Sequence, residues 1–358
     1  MKKIDAYIIK KFLSTFFFCI GLILLIVIIF DVSEKIDDFI EKEAPLKAII
    51  FDYYVNFAPY FGNLFSPLFT FIAVVFFTSK MANNTEIIPI LNSGVSFNRL
   101  LRPFLISATI LGIISFILGN FIIPPANKIR LEFENKYIRN PYQNRDKNIH
   151  LQIEPGTFVY MEGYNIKRNI GYKFSMEKFE NGELKSKLMS NYIKWDSLNN
   201  SWSINQYFIR EIDGYNEKII NGQRLDTIFN MHPNDFNVRL SMVETMNMFA
   251  LNKFIDQERM KGSKYLVFHL IEKHKRIAFP FATIILTIIA VAISSKKVRG
   301  GIGLHLGLGL LISFSYILFM QVSTTFATNG SLSPFIAVWI PNFVFMSLGF
   351  YLVHKAPK

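Results

Sequence analysis

Apolar and polar positions alternate along this chain on two length scales. On the long scale, six apolar runs of about 17 to 26 residues (12–30, 55–78, 104–123, 277–293, 304–327 and 335–353) each match the roughly 20 residues a helix needs to cross a hydrocarbon core. On the short scale, four stretches between the third and fourth runs alternate with a period of two: IHLQIEPGTFVYM, GYKFSMEKFENGELKSKLMSNYIKWD, SWSINQYFIREIDG and NEKIINGQRLDTIFN. Pro-Gly, Asn-Gly, Asn-Asn and Asp-Gly pairs punctuate them, so they predict short strands joined by tight turns, in an all-β sandwich or open roll. The pattern therefore predicts a polytopic α-helical membrane protein of six transmembrane helices, three before and three after an inserted all-β domain. The boundaries fall at 1–123, 124–276 (the insert with helical flanks) and 277–358.

Charge orients this plan. The opening MKKIDAYIIKK carries four lysines and one acid, whereas 31–54 carries seven acids and three bases. Positive residues concentrate on the cytoplasmic side of spanning helices, which puts the amino terminus inside and 31–54 outside. The basic SSKKVRGG after the fourth run and the HKAPK tail then fall inside, and the insert, with 24 Lys/Arg and 18 Asp/Glu between 124 and 276, falls outside. The net charge of +12 is explained by these run ends, since no Lys/Arg stripe with interleaved aromatics points to nucleic acid. The first run is too long for a signal peptide core and lacks a small-residue cleavage site, so it is read as a retained helix. Asn56, Pro59, Asn63 and Pro67 in the second run require neighbouring helices or a watery cavity to satisfy the groups they free.

One polar interruption stands apart. Residues 79–103, SKMANNTEIIPILNSGVSFNRLLRP, form a cytoplasmic loop whose charges are Lys80, Glu86, Arg99 and Arg102. Glu86 is its only acid. A short helix near 84–94, started by Asn83, Asn84 or Thr85 and stopped at Asn92-Ser93-Gly94, accounts for it in either of two ways. Glu86 can simply favour the positive end of the helix dipole, or it can meet a cation on a soluble partner that grips the helix. Pro89 suits the helix only if it lies in the first turn.

Catalytic chemistry is not visible. There is no GxxxxGK[ST], so the chain binds no ATP by that motif, and no HExxH or GxSxG. The glycines of GGIGLHLGLG read as helix-packing positions. Cys19 is the only cysteine, which excludes an intramolecular disulfide or a cysteine metal cluster. Of six scattered histidines only His305 enters a run, at its end, where it can reach the interface. No carboxylate sits in the middle of a run, which argues against a proton-driven pump.

These residues, in this order, carry a resemblance. DAYIIKKFLSTF, NNTEIIPILNSG, PPANKIR, IEPGTFVYMEGY, RIAFPFA, GGIGLHLGLGLLISFSY and LSPFIAVWIPN together resemble the LptF/LptG (YjgP/YjgQ) permeases of lipopolysaccharide export, over essentially the whole chain. The acidic VSEKIDDFI after the first run is closer to the LptG side. The resemblance implies an inner-membrane ABC exporter built from two paralogous permeases, a dimer of LptB-type ATPases and a single-helix LptC-type protein. Lipopolysaccharide would enter from the outer leaflet and pass through a jellyroll-like periplasmic domain towards a periplasmic bridge. The chain itself would need no cofactor or metal and have no catalytic residue, since ATP is bound by the partner.

The resemblance also implies residue roles. The helix between the second and third spans would be the coupling helix that docks in the ATPase, with Glu86 as its glutamate and Asn92, Ser93 and Gly94 as its end. Lys35, Lys128 and Arg130 are the candidates for meeting lipid A phosphates, although Asp31 stands where relatives can have a lysine. Two other readings stay open: a permease for another lipid or lipoprotein, and a membrane-anchored periplasmic binding or assembly protein. Tolerance of a Glu86 substitution would favour the anchor.

Overall fold

The computed structural model describes residues 3–139, 146–236, 240–296 and 301–356. The chain divides into two compact units: a helical one of 1–139, 244–248 and 270–358, and a β one of 140–243 and 249–269.

Among the described residues, six helices are long and apolar enough to cross a membrane. The first, α1, runs over Lys3–Glu41. It extends well into the stretch expected to be a loop, because DVSEKIDDFIE holds no Pro or Gly and pairs Asp31 with Lys35 one turn apart. Phe39 on this extension packs with Tyr53, Phe57 and Phe133, so the acidic segment is anchored by an aromatic cluster. After the turn at 42–45, α2 (Leu46–Ala48) passes through a π turn (Ile49–Tyr54) into α3 (Val55–Asn83). Asn56 caps the wide turn by donating to the Phe51 and Asp52 carbonyls, and Pro59 and Pro67 lie within the continuous helix.

A short helix, α4 (Ile87–Asn92), separates α3 from α5 (Phe97–Ile117). A second π turn (Leu118–Ile122) carries α5 into α6 (Ile123–Tyr137). The insert was expected to begin at Pro124, yet α6 belongs with the helical unit, because Pro124, Asn127, Leu131 and Phe133 line its buried face. The last spans are α8 (Leu266–Ser294), α9 (Gly301–Thr328) and α10 (Pro334–His354). Lys297 and Arg299 of the expected basic loop lie outside the described residues.

Several polar groups buried among these helices tie one helix to another, whereas the hydroxyls of Thr70, Thr78, Thr283 and Ser313 are buried without a hydrogen-bond partner among the described residues. The Tyr316 hydroxyl donates to Asn342 Oδ1 at 2.7 Å, and Asn342 Nδ2 donates to the Ala278 carbonyl at 3.1 Å, which ties α9, α10 and α8 together. The Ser115 hydroxyl donates to Asn63 Oδ1 at 2.7 Å, joining α5 to α3. Of the described glycines in the run read as packing positions, Gly309 fits that role: a Cβ there would stand 2.7 Å from the Phe71 ring of α3, whereas Gly303 and Gly307 face open space.

The described residues of the β unit form six strands, β1 (Lys147–Glu154), β2 (Thr157–Asn165), β3 (Ile170–Glu180), β4 (Glu183–Asp196), β5 (Ser201–Asp213) and β6 (Asn216–Thr227). All neighbours are antiparallel and follow chain order, which refines the expected roll to a six-stranded meander. Four of its five hairpins sit at turn pairs read from the sequence, and the fifth, between β2 and β3 at 166–169, carries none of those pairs. Asn181 and Gly182 between β3 and β4 both have positive φ (52° and 83°), the conformation that matches the twist of a two-residue hairpin. Gly156 is required for space as well as for its φ of +79°, since a Cβ would meet the Phe179 carbonyl at 2.5 Å. One face buries Val159, Met161, Phe174, Leu188, Ile193, Trp202 and Ile204. The Trp202 indole, fully buried, donates to the Met231 carbonyl at 3.0 Å. The amphipathic helix α7 (Met248–Met260) buries Leu251 and Ile255.

Candidate functional site

The turn between α3 and α5 is a built feature. Asn84 caps α3, Thr85 takes a positive φ of 57°, and the Glu86 N–H returns to the Met81 carbonyl at 2.9 Å. The chain thereby reverses, and Glu86 becomes the residue that precedes α4. Its carboxylate does not cap its own helix; it accepts from Asn84 Nδ2 at 3.1 Å and makes no ion pair among the described residues. Pro89 is the third residue of α4, where its missing N–H would have had no helical partner.

Burial orients the short helix. Ile87 is buried and pins it, whereas Ile88 (49% exposed), Pro89, Asn92, Ser93 and Gly94 are exposed. The exit is closed by Ser93 N–H to the Pro89 carbonyl and Gly94 N–H to the Leu91 carbonyl, both at 3.0 Å, with Gly94 at φ +81°. Ser96 then caps α5 by accepting from the Arg99 N–H. The Arg99 guanidinium grips Asp5 with two parallel bonds, Nη1 to Oδ1 at 2.9 Å and Nη2 to Oδ2 at 2.6 Å, so the turn is braced on the start of α1. Glu86 thus precedes α4 while Asn92, Ser93 and Gly94 close its other end, with Ile88 and Pro89 exposed between them.

The same end of the unit is closed by a second set of contacts. Lys296 Nζ donates to the Lys355 carbonyl at 2.9 Å, and His305 Nε2 donates to the Lys296 carbonyl at 3.0 Å. His305, 4% exposed, fastens helix ends here rather than lining a path.

Lys35, Lys128 and Arg130, near the opposite ends of these helices, have three different environments. Lys35 donates to Asp31 Oδ1 at 2.5 Å and to the Tyr53 hydroxyl, and the Tyr54 hydroxyl donates to Asp31 Oδ2 at 3.1 Å. Lys128 is exposed. Arg130, two residues along the same helix and so on another face, is buried over the Tyr60 ring at 4.9 Å. Glu134 lies 3.6 Å and Glu244 4.0 Å from its guanidinium, and its Nε has no hydrogen-bond partner.

Sequence reasoning missed the charges around Arg130. Glu244 and Met246 lie on the short 244–248 segment that packs with the helices. Asn127 Nδ2 donates to the Glu244 carbonyl at 3.4 Å, and Arg276 donates to Glu272 at 2.9 Å and to the Met246 carbonyl at 2.6 Å. Burial and the neighbouring Glu272 push the Glu244 carboxyl above its ordinary range, against the opposing pull of Arg130, Arg276 and Arg139. Only the pairs four residues apart on one helix, Arg130 with Glu134 and Glu272 with Arg276, carried a signal in sequence.

Among the described residues no group of His, Cys, Asp and Glu could hold a metal ion. Cys19 is half-buried within α1. What the arrangement offers is a helical unit able to span a membrane, with a presented polar turn, charged groups at the opposite helix ends and a β insert. No curated protein matches the chain. Residues 6–355 match the family model described as lipopolysaccharide export system permease LptF/LptG, which groups both paralogues. With six spans and a β domain between the third and fourth, the chain belongs to the LptF/LptG family of lipopolysaccharide export permeases, multi-pass proteins of the inner membrane.

Proposed function

We propose that this permease is the non-catalytic membrane half of an ABC-type exporter, moving lipopolysaccharide with energy from a separate ATPase. The observation that carries this reading is the α3–α5 turn, where α4 presents Ile88, Pro89 and Asn92–Gly94 outward beside a carboxylate without an ion-pair partner. A soluble subunit can seat that apolar tip in a groove and pair a cation with Glu86, so that closure of an ATPase dimer is transmitted to α3 and α5. In this scheme the amino and carboxyl termini are cytoplasmic and the β unit periplasmic. The partners are an LptB-type ATPase dimer, the paralogous permease and an LptC-type single-helix protein, and cargo is handed to a periplasmic bridge. Lys35, Lys128 and Arg130 are the cations offered to lipid A phosphates at the outer helix ends. Nucleotide is bound by the partner, and no cofactor is needed here.

Purification of the chain from its native membrane in mild detergent tests the reading. A nucleotide-binding subunit and lipopolysaccharide should accompany it; isolation as a lone protein would count against the scheme. Glu86→Lys should abolish stimulated ATPase activity or assembly with the ATPase while leaving the chain inserted. Unchanged activity in that variant would favour the anchored assembly protein.

A further inference from the structure

The outer third of α1 places Asp31, Lys35 and Asp38 at positions i, i+4 and i+7, on one stripe of the helix. Lys35 is the only cation between Asp31 and Glu41, against Asp31, Glu34, Asp37, Asp38 and Glu41. Its ammonium has three donors, of which Asp31 and the Tyr53 hydroxyl take two. Asp31 is held firmly, with its side chain 12% exposed and its second oxygen bonded to Tyr54. Asp38, by contrast, makes no ion pair among the described residues. A bare phosphate approaching Lys35 must compete with an internal carboxylate and enter a negative field. A group that carries an ammonium beside its phosphate has no such conflict, since its phosphate takes Lys35 while its ammonium takes the carboxylates.

We propose that the Asp31–Lys35–Asp38 stripe selects amine-capped phosphates on the lipid headgroup over bare ones. This rests on the reading of the chain as a lipopolysaccharide permease and adds the headgroup chemistry it favours. The internal Asp31–Lys35 pair is exchanged on binding for two intermolecular pairs of opposite polarity, and repulsion of the uncapped anion supplies the rest of the discrimination.

The test is competition binding to the intact permease complex in detergent, using lipid A with bare phosphates and lipid A whose phosphates carry ethanolamine. Wild type should favour the capped form by roughly fivefold, the scale of one partly exposed ion pair. Asp31→Asn with Asp38→Asn should bring the ratio to about one by improving binding of the bare form. Tyr54→Phe, which removes a hydrogen bond to Asp31 without changing charge, should keep the preference and separates charge from local packing. Equal binding of both lipids by wild type, or a preference that survives the double substitution, overturns the proposal and leaves the permease reading standing. Binding of neither lipid overturns the permease reading and the proposal with it.

Discussion

Asp5 and Arg99, 94 residues apart, form the bidentate pair that braces the α3–α5 turn on the first helix. The two bonds are charge-assisted and share one planar geometry, so losing the guanidinium removes the brace as a unit. Arg99→Ala should therefore lower the melting temperature of the purified chain, and Arg99→Lys, which keeps the charge without the two parallel bonds, should recover only part of it. An unchanged melting temperature in Arg99→Ala would show that the pair is only a surface contact. Glu244 gives a pH dependence with a defined sign. Its carboxyl titrates above its ordinary value in the folded chain, so the folded state keeps this proton to higher pH than the unfolded one. Its contribution to stability is thus fully present below the ordinary glutamate range and is lost as pH rises through the raised value. Glu244→Gln should stabilise the protein more at pH 7 than at pH 4.5, as measured by thermal melts at both. The opposite order would mean that Arg130 and Arg276 outweigh the burial.

At the scale of elements, helix packing turns on a few close approaches. Gly309 meets the Phe71 ring, and Gly112 would bring a Cβ to 3.3 Å of the Pro280 carbonyl, so α9 and α8 each approach a neighbour through a missing side chain. Gly309→Leu should cost about 1 to 3 kcal/mol of stability through overpacking, whereas Gly307→Leu, facing open space, should be tolerated. Equal loss in both variants, measured by thermal aggregation in detergent, would contradict this geometry. The glycine run was legible as a packing signal, but not which glycine packs, since each faces a different direction around the helix. Likewise Asn-Gly and Asp-Gly pairs announced the hairpins, because φ > 0 at a tight turn is a local demand. The extension of α1 to Glu41 was obscured, because its acidic residues resemble a loop until Phe39 is seen packing on Tyr53 and Phe133.

At the scale of the whole molecule, the proposed orientation makes opposite predictions for two exposed turns. Cys19 is the only cysteine, so a Cys19→Ser background permits single-site labelling. Leu198→Cys, at a 94% exposed position in the β4–β5 turn, should react with an impermeant reagent in intact spheroplasts, whereas Ser93→Cys should react only after permeabilisation. The reverse pattern would end the proposed coupling scheme. Hydropathy and charge alone determined the six spans, the inserted β domain and the polar turn with its one acid, because bilayer thickness, strand alternation and turn stereochemistry act on neighbours in sequence. Only the tertiary structure decided that the Tyr53 hydroxyl joins Asp31 at Lys35, that Arg130 is buried over Tyr60, and that Glu244 returns to the helices. The groups that set the working state of those residues, Tyr53 for Lys35 and Glu244 for Arg130, arrive from elements distant in sequence, and no local pattern carries that information.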